Sequence, residues 1–366
     1  MQTLLLSRAL IESGYNVEVC CYFEWDEIVV DEFRATGAKV QLLSWNRAIG
    51  TIEFIRTLAE IFRNTSPDVV HVQYMAPGLL PIIAARLAHI KFVVATVHQP
   101  GTPHGLKNGL LLRYGARLVH RFTCVSEAAE KSWFGNSYLL DPKQPEKIYG
   151  RRHLTIPNAV DIDGIDKALL EKWPMVIETA SKLKGKMIVG TVARLSKEKG
   201  IDILIRAFAE VHKAISNVHL LIVGDGNQLV ELQSLAQNLG IGNAITWTGC
   251  LRWEDAMGCL GRMDVVVVPS RFEGFGLTAI EAMTCGKPVA ASNVDGLAEI
   301  ISDGENGVLV PSEDVSAFAS ALSELLNDEE RRRTIGMAAR RHVIDNYNYH
   351  IFRERVKTLY ETVLRG

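Results

Sequence analysis

Short apolar runs alternate with stretches of helical periodicity along most of the chain. Residues 1–13 carry apolar positions at Leu4, Leu5, Ala9 and Leu10 and stop at Gly14, which predicts a helix. Residues 16–23 then predict a buried strand. Further strands are predicted at 39–43, 68–73, 91–97 and 122–126, with helices at 52–62, 79–88 and 106–121 between them. The second half repeats the alternation, with strands at 187–192, 219–223 and 244–247 and a helix at 201–214. It ends in helices at 317–326, 329–347 and 349–364. Such an alternation calls for parallel sheets covered on both faces, with ligands beyond the carboxyl ends of the strands.

The most informative stretch is 265–291. An apolar run, Val265–Val268, breaks at Pro269-Ser270 and gives way to a glycine turn, Glu273-Gly274-Phe275-Gly276. A helical segment follows with Leu277, Ile280 and Met283 on one face, then Gly286 and Pro288 as its stop and a second apolar run. The order is strand, glycine loop, helix, strand, which suits an anion at the helix start. Glu273 and Glu281 bracket the loop. Carboxylates accept hydrogen bonds from hydroxyls, so the pair fits a sugar or ribose beside a phosphate. The plainer alternative makes Glu273 a cap and Glu281 a solvated charge.

Composition narrows the field. A chain of 366 residues, 48% apolar, is long enough for two domains with their own cores. A net charge of −2 supplies no basic field, which argues against nucleic acid as a partner. The six cysteines form no Cys-x-x-Cys pair and lie mostly in apolar stretches, as buried thiols do in a reducing cytoplasm. No apolar run reaches membrane-spanning length and no signal peptide is seen, so a cytoplasmic protein is expected.

Other positions bear on chemistry. His98 directly follows the apolar run 92–97, at a strand's carboxyl end, where it is either a site residue or a structural histidine; His71 is the weaker candidate. Arg194 and Lys199 follow the strand 187–192, and both suit a diphosphate, one as a planar fork and one as a point charge. Lys197 and Glu198 between them fit a solvated charged loop. Gly224 opens a Gly-Asp-Gly turn after the next strand. Lys107, Arg113, Arg117 and Arg121 among leucines leave two possibilities for 106–121, an anionic membrane surface or a solvated basic face over a core. Asp161-Ile-Asp163 is expected to be a turn and helix start rather than a metal site.

The segment Arg271-Phe-Glu-Gly-Phe-Gly-Leu-Thr-Ala-Ile-Glu-Ala-Met283 resembles the Glu-seven-residues-Glu motif of the retaining GT-B glycosyltransferases of family four. The Ile156-Pro-Asn-Ala-Val-Asp161 segment, Arg194 with Lys199, and His98 after its strand are similar to that family too, over nearly the whole chain. The resemblance implies an α/β GT-B fold, two Rossmann-like domains with parallel sheets facing a central cleft. Residues 1–157 would form the acceptor-side domain, 158–347 the nucleotide-sugar domain, and 348–366 a helix crossing back. Family members begin with a strand and a Gly-Gly loop. This chain enters at the helix, so about 15 to 20 residues are expected to be missing, by a misassigned start or natural shortening.

The resemblance also implies roles. Glu273 and His98 would serve the transferred sugar; Arg194, Lys199, Gly274, Phe275, Gly276, Leu277 and Thr278 the donor phosphates; Glu281 the ribose; and Gly224 with Leu251 the remainder of the nucleotide. The expected function is transfer of a sugar from a UDP- or GDP-sugar, as substrate rather than cofactor, to a glycan, lipid-linked or small-molecule acceptor, with retention and without metal. Assembly of surface polysaccharide or glycolipid, with peripheral membrane contact, follows from the family's range. A truncated, catalytically impaired nucleotide- or sugar-binding protein and a sugar-nucleotide epimerase of the same fold are the alternatives.

Overall fold

A computed structural model describes residues 1–73, 79–171 and 183–365. Its contacts divide the chain into two compact units, Met1–Ala159 with Tyr349–Gly366, and Val160–Asn348. Each is a Rossmann-like arrangement of parallel strands and helices.

In the first unit the strands are β1 (Glu18–Cys21), β2 (Lys39–Leu42), β3 (Val69–Gln73), β4 (Phe92–Val97), β5 (Arg121–Cys124) and β6 (His153–Thr155). The helices are α1 (Gln2–Glu12), α2 (Glu27–Ala35), α3 (Thr51–Thr65), α4 (Leu80–Leu87), α5 (Gly105–Arg117) and α6 (Glu127–Phe134). Strands β3-β4-β5-β6 form one parallel sheet in that order, with β4 buried along its whole length. Its two faces are covered by separate apolar clusters, one built on Phe54, Leu58, Ile82 and Phe122, the other on Leu5, Leu154, Phe352 and Tyr360. The last two belong to the C-terminal helix Tyr349–Arg365, which also pairs with α1 through Arg353 and Glu12.

Two expectations need correcting here. The strand expected at 16–23 is short and only half-buried, and with β2 it makes a two-stranded sheet of its own rather than joining the larger one. An apolar run shows that a segment seeks cover, not that a strand pairs on both sides of it. The helix expected to reach residue 121 stops at Arg117, and Arg121 begins β5. Val119 stays in the core beyond the helix end, so the apolar pattern continues after the helical one has stopped.

In the second unit the strands are β7 (Met187–Val192), β8 (Val218–Val223), β9 (Ile245–Trp247), β10 (Val265–Val268), β11 (Val289–Ser292) and β12 (Val308–Val310). The described helices are α7 (Ile162–Leu170), α8 (Ile201–Ala214), α9 (Leu229–Asn238), α10 (Trp253–Leu260), α11 (Leu277–Thr284), α12 (Asp295–Ile300), α13 (Val315–Asn327) and α14 (Glu329–Asn346); the C-terminal helix of the first unit is then α15. The sheet is parallel, in the order β12-β11-β10-β7-β8-β9. The chain builds outward from β7 through β8 to β9, then returns to the other side of β7 with β10. The topological switch point therefore lies between β7 and β10, where open sheets of this kind bind ligands.

Candidate functional site in the second unit and around His98

The loops leaving β7 and β10 meet at that switch point. Lys199, after β7, donates from Nζ to Glu273 Oε2 at 2.6 Å, and Ser270 Oγ donates to the same oxygen at 3.1 Å. Thr278, in the first turn of α11, donates to the carbonyl of Val192 at 2.8 Å, fixing the start of α11 against the end of β7. Gly276 caps α11 at φ 109°, with Leu277 as its first residue. The first amides of any helix lack partners within it, so this end carries donors and a positive dipole.

Arg194 is exposed and pairs with Glu198 Oε1 at 3.1 Å. Glu198, expected as a solvated loop charge, is instead held, because Ser196 Oγ also donates to it at 2.6 Å. Gly224 is bridged to Gly249, its amide donating to the Gly249 carbonyl at 2.9 Å. A Cβ there would stand 1.9 Å from the carbonyl of Ala193, so only glycine lets the two loops approach. Leu251 is half-buried in the loop before α10. Gly274 is buried, and the Phe275 ring is buried against Tyr347, with centroids 5.5 Å apart. Phe275 thus contributes its backbone to the turn while its side chain serves the core.

Glu281 is half-buried one turn into α11, and the Trp253 indole donates weakly to its Oε1 at 3.4 Å. Burial pushes its carboxyl up to about 7, with the indole contact opposing. Asp161 accepts from the amide of Gly164 at 3.1 Å and caps α7, the turn and helix start expected of it.

In the first unit, His98 Nε2 and Gln73 Oε1 are 2.9 Å apart. An amide oxygen only accepts, so Nε2 carries the proton in this contact. His71 bonds Tyr360 Oη at 2.9 Å and Thr96 Oγ1 at 2.7 Å. Burial lowers His98 to about 4 and His71 to about 3, so both rings are neutral near pH 7. A small cavity beside them is lined by Gln2, Gln73, Thr96, Asn158 and Phe352 among others.

Residues 177–342 match the family described as glycosyl transferases group 1, and residues 1–163 match glycosyltransferase family 4. A D-inositol 3-phosphate glycosyltransferase of Corynebacterium jeikeium is 35% identical over 317 residues, covering 81% of this chain and 72% of that protein. The chain is a glycosyltransferase of this family. A GDP-mannose-dependent alpha-(1-6)-phosphatidylinositol monomannoside mannosyltransferase of Mycolicibacterium smegmatis is 33% identical over 174 residues, 46% of each chain. The crystal structure of Anabaena Alr3699/HepE with UDP and glucose shares the fold, with a TM-score of 0.78 at 21% identity over 100% of this chain and 96% of that one.

Several residues of the candidate site were not singled out individually from the sequence. Asp295 accepts from the Glu273 amide at 3.3 Å, and burial raises its carboxyl, opposed by that bond. Trp253 reaches Glu281 from α10, and Gln73 reaches His98 from a neighbouring strand. An aspartate opening a helix looks like an ordinary cap, and a tryptophan in a helical stretch looks like core.

Proposed function

We propose that the protein transfers a sugar from a UDP- or GDP-sugar to an acceptor hydroxyl with retention. One observation carries this: Lys199, Glu273 and the start of α11 converge at the switch point of the second unit's sheet. The donor diphosphate lies over the α11 amides of Gly276 and Leu277, with Lys199 and Arg194 stabilising the charge that grows as it leaves. Glu281 accepts hydrogen bonds from the ribose and Glu273 from the transferred sugar. Gly224 and Leu251 serve the nucleotide. The acceptor oxygen bonds to the anomeric carbon, the bond from that carbon to the β-phosphate oxygen breaks, and the acceptor's proton passes to the leaving phosphate. No metal ion is required in this scheme, because basic side chains and helix amides serve the diphosphate.

The relatives' names cover inositol phosphate and a phosphatidylinositol mannoside, which supports a phosphorylated polyol or glycolipid acceptor. A membrane-surface acceptor also accords with α5, where Leu106, Leu110 and Tyr114 are 90%, 66% and 56% exposed beside Lys107, Arg113 and Arg117. The helix has no acidic residue. Among the described residues, no helix is long and apolar enough to cross a membrane. The proposed location is the inner face of the cytoplasmic membrane, for surface polysaccharide or glycolipid assembly.

The test is incubation with UDP- and GDP-hexoses and a panel of inositol phosphates and glycolipids. Nucleoside diphosphate release should depend on the acceptor, and proton NMR should show the donor's anomeric configuration in the product. Inversion, or conversion of the donor without an acceptor, would overturn the proposal. A binding protein without transfer is the second reading, favoured by the division of the first unit's sheet into β1-β2 and β3-β6; donor binding with no release under any acceptor would establish it.

A further inference from the structure

Arg271 stands in the loop after β10, two positions before Glu273, yet its side chain turns away from Glu273 and toward the other loop. Its guanidinium donates to both oxygens of Asp202, each at 2.9 Å, and Asp202 lies in the first turn of α8 just beyond Lys199. The same group donates to the Lys197 carbonyl at 2.7 Å and to Glu313 Oε1 at 2.8 Å. The Arg271 amide donates to the Glu198 carbonyl at 2.8 Å. Gly200 lies so close to the Pro269 carbonyl that a Cβ would stand 2.0 Å from it, and its φ is +63°. The two loops are thus joined by a planar fork that is mostly shielded from water, with 22% of the Arg271 side chain exposed.

The partners lie on every side of the fork: a helix start, a backbone carbonyl and a carboxylate of a third loop. A bidentate arginine–carboxylate pair fixes orientation as well as distance, which a lysine does not. Lys199, by contrast, is a flexible point charge whose location depends on the backbone carrying it.

We propose that Arg271, with Asp202, is a positioning residue for the donor diphosphate: by joining the two loops it sets where Lys199 stands relative to Glu273 and the start of α11. The inference rests on the donor site proposed above. It places Arg271 outside the set of groups that touch the donor, although it belongs to the same motif as Glu273.

The test compares wild type with Arg271→Met, Arg271→Lys and Asp202→Asn by calorimetric titration with UDP and GDP, and with uridine and guanosine. For the diphosphate that binds, Arg271→Met and Asp202→Asn should each weaken binding about tenfold, while affinity for the matching nucleoside stays within twofold of wild type, about the scatter of such measurements. Arg271→Lys should recover only part of the loss, because it restores charge without the fork. If Arg271→Met does not fold, Asp202→Asn carries the test, since it removes one charge and leaves the side chain's shape. A role confined to stability would lower the melting temperature and leave diphosphate affinity per folded molecule unchanged, and that result overturns the inference. Failure of wild type to bind either diphosphate would instead sink the donor-site reading, and this inference with it.

Discussion

Lys199 and Glu273, 74 positions apart in the chain, are joined by a 2.6 Å charge-assisted hydrogen bond at the switch point of the second sheet. Each neutralises the other, so under the proposed function a donor diphosphate would compete with Glu273 for the ammonium. Opposite consequences are expected for the two partners. Lys199→Met should weaken binding of the preferred nucleoside diphosphate by about tenfold to a hundredfold, the usual range for a lost hydrogen bond to a charged group. Glu273→Gln should leave diphosphate binding equal or tighter, while kcat for sugar transfer falls over about the same range. Calorimetry on both variants, with steady-state kinetics, separates the two effects.

Glu281 gives the site a pH dependence. Its folded-state value of about 7 lies above its ordinary 4.5 because burial disfavours the carboxylate. The stability linked to its proton is therefore fully present below pH 4.5 and lost as pH rises through 7, by about 3 kcal/mol at most. Glu281→Gln should flatten that part of the stability profile measured by urea unfolding. A ribose hydroxyl donates best to the ionised form, so nucleotide affinity should rise from about pH 6 to about pH 8 in the wild type and not in the variant.

The exposed apolar row on α5 is expected to matter only where a membrane is present. Leu106→Asp with Leu110→Asp should reduce cosedimentation with vesicles containing anionic lipid about tenfold or more. Transfer to a water-soluble acceptor should be unchanged. Equal vesicle binding by wild type and variant would remove the membrane contact from the account.

A buried polar cluster stabilises the first unit. Glu130, fully buried in α6, accepts from Thr155 Oγ1 at 2.6 Å and the Tyr138 amide at 3.0 Å, and lies 2.5 Å from His153 Nδ1. Burial raises its carboxyl above the ordinary range despite these contacts. Glu130→Ala leaves three buried or half-buried partners without their acceptor and should cost about 3 kcal/mol in urea unfolding.

Much of this architecture was legible because it is local. The run Val265–Val268, the glycine turn and the helix around Ile280 lie within one short stretch, and their order alone places Glu273 in the turn before the helix and Glu281 one turn into it. Arg194 and Lys199 follow a strand by the same logic. What escaped is carried by distant pairs. Asp202 and Arg271 are 69 positions apart, and Trp253 and Glu281 are 28. Neither pair has a periodicity or spacing to announce it. Buried Phe275 illustrates a different limit, because a motif shows which residues recur together without showing which side chains face the ligand.

The central claim is that the second unit holds a nucleoside diphosphate at Lys199, Glu281 and the start of α11. Its most direct test is thermal unfolding with UDP, GDP and ADP, each alone and as its sugar conjugates. At about 100 times its dissociation constant, one of them should stabilise the protein by about 2.7 kcal/mol. Glu281→Ala and Lys199→Met should each reduce that shift at the same ligand concentration, Lys199→Met to between about 0.4 and about 1.4 kcal/mol. No stabilisation by any nucleotide, or an equal shift in both variants, would contradict the account.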